Sequence, residues 1–413
     1  MRYGLLGEHL PHSFSKEIHE RLGLYQYELI ELAPAELGDF LARRDFGGVN
    51  VTIPYKQAVI PWLDELSERA KAIGAVNTIV NRNGRLLGDN TDYGGLAALL
   101  RRTGLDLRGK KVLILGTGGT SLTARAVAKD AGAGTVLRVS RSGREGAISY
   151  ESAVAEHPDA QVLLNTTPCG MYPKTEAMPI DPARFPALEG VVDVIYNPLR
   201  TRLTQRAAAL GLKCANGLFM LVTQAVLAAE AFTGATLPED TAERIFREVL
   251  TEKQNLVLIG MPGSGKTTLG RLLAARTGRP FVDTDEVIAA RAGRSIPEIF
   301  QAEGEAGFRD RESAVLRDLG ATGGRILATG GGAVLRAENR AALRQNGLLL
   351  LLDRPLADLV PTGDRPLADN IEKLRALYEA RLPVYRAAAD ARIDVSGSPE
   401  ETAEHILQLW RND

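Results

Sequence analysis

Apolar residues fall into short continuous runs separated by longer stretches with helical patterning. The runs Tyr3–Gly7, Tyr27–Glu31, Gly48–Ile53, Lys111–Leu115, Val136–Val139, Asn255–Ile259, Arg279–Val282 and Arg325–Ala328 read as strands. Asp240–Leu250 (DTAERIFREVL) reads as an amphipathic helix, followed by a short polar linker, Thr251–Gln254. Strands alternating with helices from end to end predict an α/β fold. Two strands run straight into glycine-rich turns: KVLIL into GTGGTS, and NLVLI into GMPGSGKTT. Each resembles the first strand, phosphate loop and helix start of a nucleotide-binding fold. One domain rarely holds two such beginnings. The predicted lobes are 1–105, 106–235 and 254–413, with 236–253 as a closing helix and linker.

The length of 413 residues agrees with two or three domains. Lys+Arg number 50 against 51 Asp+Glu, a net charge of -1, which argues against a bulk nucleic-acid or polybasic membrane binder. Two cysteines, Cys169 and Cys214, exclude a disulfide framework and fit a reducing cytoplasm. The five histidines are scattered, so no zinc site is expected. No apolar run approaches the ~18 residues of a membrane span. The N-terminus lacks a basic segment followed by an apolar one, so no signal peptide is expected. A cytoplasmic protein with small-molecule partners, and neither nucleic acid nor membrane, is the expectation. Its oligomeric state is not legible.

In the first half, Gly116, Thr117, Gly118 and Gly119 let backbone approach a pyrophosphate at a helix N-terminus. About 20 residues further on, an NAD site would place an acid on the ribose. Here stand Ser140, Arg141, Ser142 and Arg144, hydroxyls and guanidiniums suited to a 2′-phosphate, so NADP is preferred. Ser13 and Ser15 are two apart, as are Asn50 and Thr52, and in extended segments each pair faces one way. With Lys56, Asn77 and Asp92 they form a set able to ring a small polyhydroxylated ligand. Lys56 and Asp92 are the natural acid–base pair. Singly, each is an ordinary turn or cap residue; the set is what carries the reading.

In the second half, Gly260 to Thr267 fits G-x-x-x-x-G-K-[ST] completely, between a strand and a helix. Lys266 reaches β/γ-phosphates and Thr267 is a Mg²⁺ ligand in such loops. Asp283 and Asp285, read as extended, share one face: one suits Mg²⁺ and the other a substrate hydroxyl proton. Ser295 and Glu298 form a capping box without chemistry. Gly330, Gly331 and Gly332 admit a ligand to the main chain, and Gly363–Leu367 presents Arg365.

PHSFS, NVTIPYK, GAVNT, GDNTD, GTGGT and GLFMLVTQA, in this order, resemble the shikimate dehydrogenase family over about residues 1–250. The resemblance implies that Ser13, Ser15, Asn50, Thr52, Asn77, Asp92 and Gln224 hold shikimate or 3-dehydroshikimate, with Tyr196 near the carboxylate and Lys56 with Asp92 catalytic. It places Asn165, Thr166, Met171 and Gly217 along NADP(H) with the glycine turn and the Ser140–Arg144 segment, although the family's usual Asn and Thr are replaced by Ser140 and Ser142. GMPGSGKTTLG, DTDEVI, GRSIPEIF, FRDRE, ATGGGAV, DRPL and YEARLPVY resemble the shikimate kinase family over about 254–413. That implies ATP on Met261, Pro262, Gly263, Ser264, Gly265, Lys266, Thr267, Thr268 and Arg365. It implies shikimate on Asp285, Arg309, Gly331, Gly332 and Arg381, and Mg²⁺ on Thr267 and Asp283. Pro361 stands where many members have an adenine-stacking arginine. The implied architecture is a two-lobed dehydrogenase, with an α/β substrate lobe and a Rossmann-like NADP lobe, followed by a P-loop kinase domain with a parallel sheet. Consecutive reactions would follow: NADPH-dependent reduction of 3-dehydroshikimate, then ATP-dependent phosphorylation of shikimate. The competing readings are a quinate-preferring, NAD-using first half, and a metabolite-sensing regulator without turnover.

Overall fold

The computed structural model describes residues 2–11, 13–143, 146–359 and 371–412. The chain forms two compact units, Met1–Val249 and Leu250–Asp413.

The first unit holds two sheets. β1 (Arg2–Gly7), β2 (Tyr27–Glu31), β3 (Phe46–Val51), β4 (Glu65–Leu66), β5 (Thr78–Arg82) and β6 (Arg85–Asp89) form a mixed sheet in the order β2-β1-β3-β5-β6-β4. β7 (Lys111–Leu115), β8 (Thr135–Val139), β9 (Val162–Asn165), β10 (Gly190–Asp193) and β11 (Lys213–Ala215) form a parallel sheet in the order β11-β10-β9-β7-β8. In β7, Val112 and Ile114 join one buried cluster while Leu113 and Leu115 join another. A parallel strand covered by helices on both faces reads as a near-continuous apolar run, so residues 112–115 lack polar alternation.

The second unit repeats the logic. β12 (Asn255–Ile259), β13 (Phe281–Asp283), β14 (Ile326–Ala328), β15 (Gly347–Asp353) and β16 (Ala391–Asp394) form a parallel sheet ordered β13-β14-β12-β15-β16. Val257, Ile259, Leu349 and Leu351 pack on one face, and Leu256, Leu258, Leu348 and Leu350 on the other.

Three local expectations change. Ser13 and Ser15 are not extended: Ser15 opens the helix Ser15–Leu22, and its N–H donates to Ser13 Oγ at 3.2 Å. Serine readily turns its side chain onto a nearby backbone N–H and starts a helix. Asp283 and Asp285 do not share an extended face either. Asp283 ends β13 and caps the helix Thr284–Ala292, its Oδ1 accepting from Asp285 N at 3.1 Å. The polar linker is helical: one helix runs Thr241–Lys253, and Gln254 N still bonds Leu250 O at 2.9 Å. Polar residues at a helix end are satisfied by water, so polarity alone did not mark a break. The Ser295–Glu298 capping box is present and opens the helix Ile296–Gly320, which changes direction at Gly304. Among the described residues no helix is long and apolar enough to cross a membrane.

Candidate active sites

A cavity of about 480 Å³ lies in the first unit. Ser13, Ser15, Asn50, Thr52, Lys56, Asn77, Asp92, Tyr196 and Gln224 all line it, drawn from both lobes. Asn50 arrives on β3 and Asn77 just ahead of β5. Asp92 opens the helix Asp92–Thr103, and Gln224 sits on Leu218–Thr233. These two helices touch at Gly95, where a Cβ would lie 2.6 Å from Met220 O. That close approach brings the two polar side chains to one cavity.

Lys56 Nζ lies 2.5 Å from Asp92 Oδ2 and 3.3 Å from Thr120 Oγ1. Both side chains of the pair are nearly buried, 12% and 8% exposed. A network of hydrogen bonds ties Asn50, Asn77 and Gln224 to Tyr27, Thr78 and Thr91, to which the motifs gave no role. Tyr27 donates to Asn50 Oδ1 at 2.7 Å, and Asn50 Nδ2 donates to Thr78 Oγ1 at 3.2 Å. Asn77 Nδ2 donates to Gln224 Oε1 at 3.3 Å, and Thr91 N donates to Asn77 Oδ1 at 2.7 Å. These bonds satisfy groups that would otherwise be costly to bury and hold each amide one way round. Thr91 stood inside a quoted motif; Tyr27 had no local signal, because its partner is 23 residues away. Burial raises the Tyr196 hydroxyl above its ordinary range, opposed by a hydrogen bond with Ser13.

Thr166, Met171 and Gly217 line the same cavity. Gly116, Thr117, Gly118 and Gly119 bridge β7 and the helix Gly119–Asp130 without lining it. Gly116 has φ +114°, and a Cβ there would lie 2.8 Å from Thr166 Oγ1, so only glycine fits the turn. A Cβ on Gly119 would stand 3.1 Å from Lys56 Cβ, so the glycine turn abuts the acid–base pair. Ser140, Arg141 and Ser142 follow β8; Ser140 Oγ accepts from Gly143 N at 3.1 Å, while Arg141 and Ser142 are exposed. Arg144 lies outside the described residues. The Asn165 side chain, expected at a cofactor, is instead buried against Asp193 and Thr167. It ends a strand buried on both faces, so its amide turns to the neighbouring strand.

In the second unit, Met261, Pro262, Gly263, Ser264 and Gly265 form the loop between β12 and the helix Lys266–Thr277, which carries Thr267 and Thr268. Gly260, Gly263 and Gly265 have φ of +142°, +82° and +94°. Lys266 Nζ donates to Gly260 O at 3.0 Å and Met261 O at 2.7 Å, folding its charge over the loop. Thr267 Oγ1 donates to Asp283 Oδ2 at 2.9 Å. Two hard oxygens thus sit side by side, the donor type Mg²⁺ takes together with phosphate and water.

Asp285, Arg309, Gly331, Gly332 and Arg381 converge across the loop. Cβ atoms built on Gly330, Gly331 and Gly332 would lie 2.7 Å from Asp285 Oδ1, 3.5 Å from Arg381 Nη1 and 2.2 Å from Arg309 Nη1, respectively. Arg309 donates to Glu312 Oε2 at 2.8 Å, and Glu312 is fully buried. Burial raises the Glu312 carboxyl, with Arg309 opposing it. Glu312 had no assigned role; it sits one helical turn from Arg309 and pairs with it. Tyr385 donates to Gly331 O and is pushed up to about 12 by burial. Arg365 and Pro361 lie outside the described residues. Among the described residues no three His, Cys, Asp or Glu side chains group as a metal site.

Comparison with known proteins gives two families. The model for "Shikimate dehydrogenase substrate binding domain" matches residues 5–79, and that for "Shikimate kinase" matches residues 262–411. Over 265 residues the chain is 36% identical to shikimate dehydrogenase (NADP(+)) of Clostridium perfringens (strain SM101 / Type A), covering 60% of this chain and 97% of that protein. Over 148 residues it is 51% identical to shikimate kinase of Symbiobacterium thermophilum, covering 34% of this chain and 85% of that protein. It is also similar to the crystal structure of shikimate 5-dehydrogenase from Thermus thermophilus in complex with NADP(H) and shikimate. That match has 34% identity and a TM-score of 0.54, and covers 60% of this chain and 99% of the other.

Proposed function

From the premise that the chain belongs to the shikimate dehydrogenase family in its first unit and to the shikimate kinase family in its second, we propose a division of labour among its own residues. The protein is a bifunctional enzyme of the shikimate pathway, an NADP-dependent shikimate dehydrogenase joined to a shikimate kinase.

In the dehydrogenase, Ser13, Ser15, Asn50, Thr52, Asn77, Tyr196 and Gln224 bind the ring hydroxyls and carboxylate of 3-dehydroshikimate. Lys56 gives a proton to the ketone oxygen while Asp92 holds the ammonium in place. The cradle left by Gly116 fits a dinucleotide, with Arg141 suited to a 2′-phosphate. When bound, NADPH supplies the hydride. The observation that carries this reading is the 2.5 Å Lys56–Asp92 pair inside a cavity ringed by hydroxyls and amides.

In the kinase, Arg309 and Arg381 pair with the shikimate carboxylate. Asp285 accepts the proton of the attacking 3-hydroxyl. Lys266 and Arg365 balance charge on the transferred phosphoryl group of ATP. Thr267 and Asp283 would hold Mg²⁺, which supplies further neutralisation of the phosphates.

Two assays on the purified full chain test the proposal: NADPH oxidation with 3-dehydroshikimate, and ADP release with shikimate and ATP. Both activities are expected. Specific metabolite binding with neither turnover would instead support a sensing regulator.

A further inference from the structure

The parallel sheet of the first unit contains a buried acid that the chemistry above does not use. Asp193 ends β10, fully buried, and its register partner on β9 is the equally buried Asn165. Asp193 Oδ1 accepts from Asn165 Nδ2 at 2.9 Å and from Ile195 N at 3.1 Å. Its Oδ2 accepts from Thr201 Oγ1 at 2.7 Å. Asn165 Oδ1 in turn accepts from Thr167 N at 3.1 Å and Thr167 Oγ1 at 2.7 Å.

Two loops leave the carboxyl ends of these strands. One brings Thr166 and Thr167 to the cavity, and the other brings Ile195 and Tyr196. Ligands of open parallel sheets bind beyond the carboxyl ends, where the strand order switches direction. Here that switch lies at β7 and β9. One carboxylate therefore ties together both loops beside the dinucleotide crevice.

All three of these partners are donors, so the ionised carboxylate completes the set. Burial nonetheless pushes the Asp193 carboxyl up to about 7. A buried charged group is a poor choice where only packing is needed, since apolar replacements are often neutral or stabilising. Its place at the root of two cavity loops points to a use in setting their positions.

We propose that Asp193 is a positioning residue for hydride transfer, setting the separation of the Thr166–Pro168 and Val194–Tyr196 loops and with it the seat of the nicotinamide end of NADP(H). This rests on the dehydrogenase reading above. A misplacement of about 1 Å can cost on the order of 100-fold in rate.

The test is Asp193→Asn in the full-length protein, a near-isosteric change that keeps an acceptor toward Asn165 and Ile195 N but sets an amide donor against the Thr201 hydroxyl, which donates to the native carboxylate. Expected are a roughly 10-fold or larger fall in kcat/KM for NADPH and an altered primary isotope effect with deuterated NADPH. The ADP-release rate of the kinase is expected to be unchanged. Loss through a smaller folded fraction alone would lower kcat with KM and isotope effect unchanged, and that result overturns the proposal, as does full activity. Should this variant not fold, Thr201→Val reads the same carboxylate, and an unaltered KM for NADP(H) overturns the proposal. The parent enzyme run alongside separates the two levels: if it shows no NADPH-dependent reduction, the functional reading fails, and not merely the role of Asp193.

Discussion

Replacing Lys56 by methionine removes an ammonium but keeps an unbranched stem of similar length. The group lost is held by Asp92 at 2.5 Å and Thr120 at 3.3 Å, in a site where both partners of the ion pair are nearly buried. A positioned proton donor contributes about 10²–10⁴-fold to rate. That range equals about 2.7–5.4 kcal/mol of barrier at ~1.36 kcal/mol per tenfold. Ground-state binding rests on the other polar residues around the cavity, so the KM for 3-dehydroshikimate is expected to move by less than about threefold. Stability also falls, because Asp92 loses its partner. Stripping a buried ion pair costs roughly 3–5 kcal/mol. Asp92 is at the low end or below, since it opens the helix Asp92–Thr103, where the helix dipole favours its charge by about 0.3–1 kcal/mol. The assay is steady-state NADPH oxidation across pH, with ADP release by the same preparation as the internal control. The reasoning is refuted if K56M keeps more than about one-tenth of the parental kcat, or if kinase activity falls with it.

Three further outcomes are expected. Lys266→Ala should lower kinase kcat by about 100-fold or more while NADPH oxidation stays unchanged, because its charge serves only the phosphate loop; parallel loss of both activities would contradict separate sites. Gly332→Ala places a Cβ 2.2 Å from Arg309 Nη1 and 2.3 Å from Nη2, so the kinase KM for shikimate should rise by about tenfold or more, and an unchanged KM would show that Arg309 does not bind the carboxylate there. Burial lowers the His19 pKa from 6.5 to about 3, so the unfolded chain takes up this proton first. The contribution of His19 is therefore intact above pH 6.5 and is lost as pH falls toward 3. At pH 5 the loss is about 2 kcal/mol, and urea unfolding of the first unit at pH 7 and 5 should show His19→Phe with a flatter pH dependence by that amount. Equal drops in parent and variant would refute it.

The phosphate chemistry was legible because it is local. A loop that wraps phosphate with its own N–H groups needs glycines and a lysine within a few residues, so Gly260 to Thr267 announces itself. The strand runs were equally legible, since a strand buried on both faces is apolar over most of its length. The helical start at Ser15 and the cap at Asp283 were misread for the opposite reason: period-two spacing looks the same whether the chain stays extended or turns into a helix. Distant partners left no trace of any kind. Tyr27 meets Asn50, and Asn165 meets Asp193, across 23 and 28 residues.

By itself, then, the order of residues determined the α/β class, the two nucleotide-type loops and the residue types able to do the chemistry, because each depends on neighbours in the chain. Tertiary structure decided which of them share a cavity, which way each amide points, and which buried acid holds the loops. Those facts arise only when strands and helices far apart in sequence pack together, and burial then forces every polar group to find a partner.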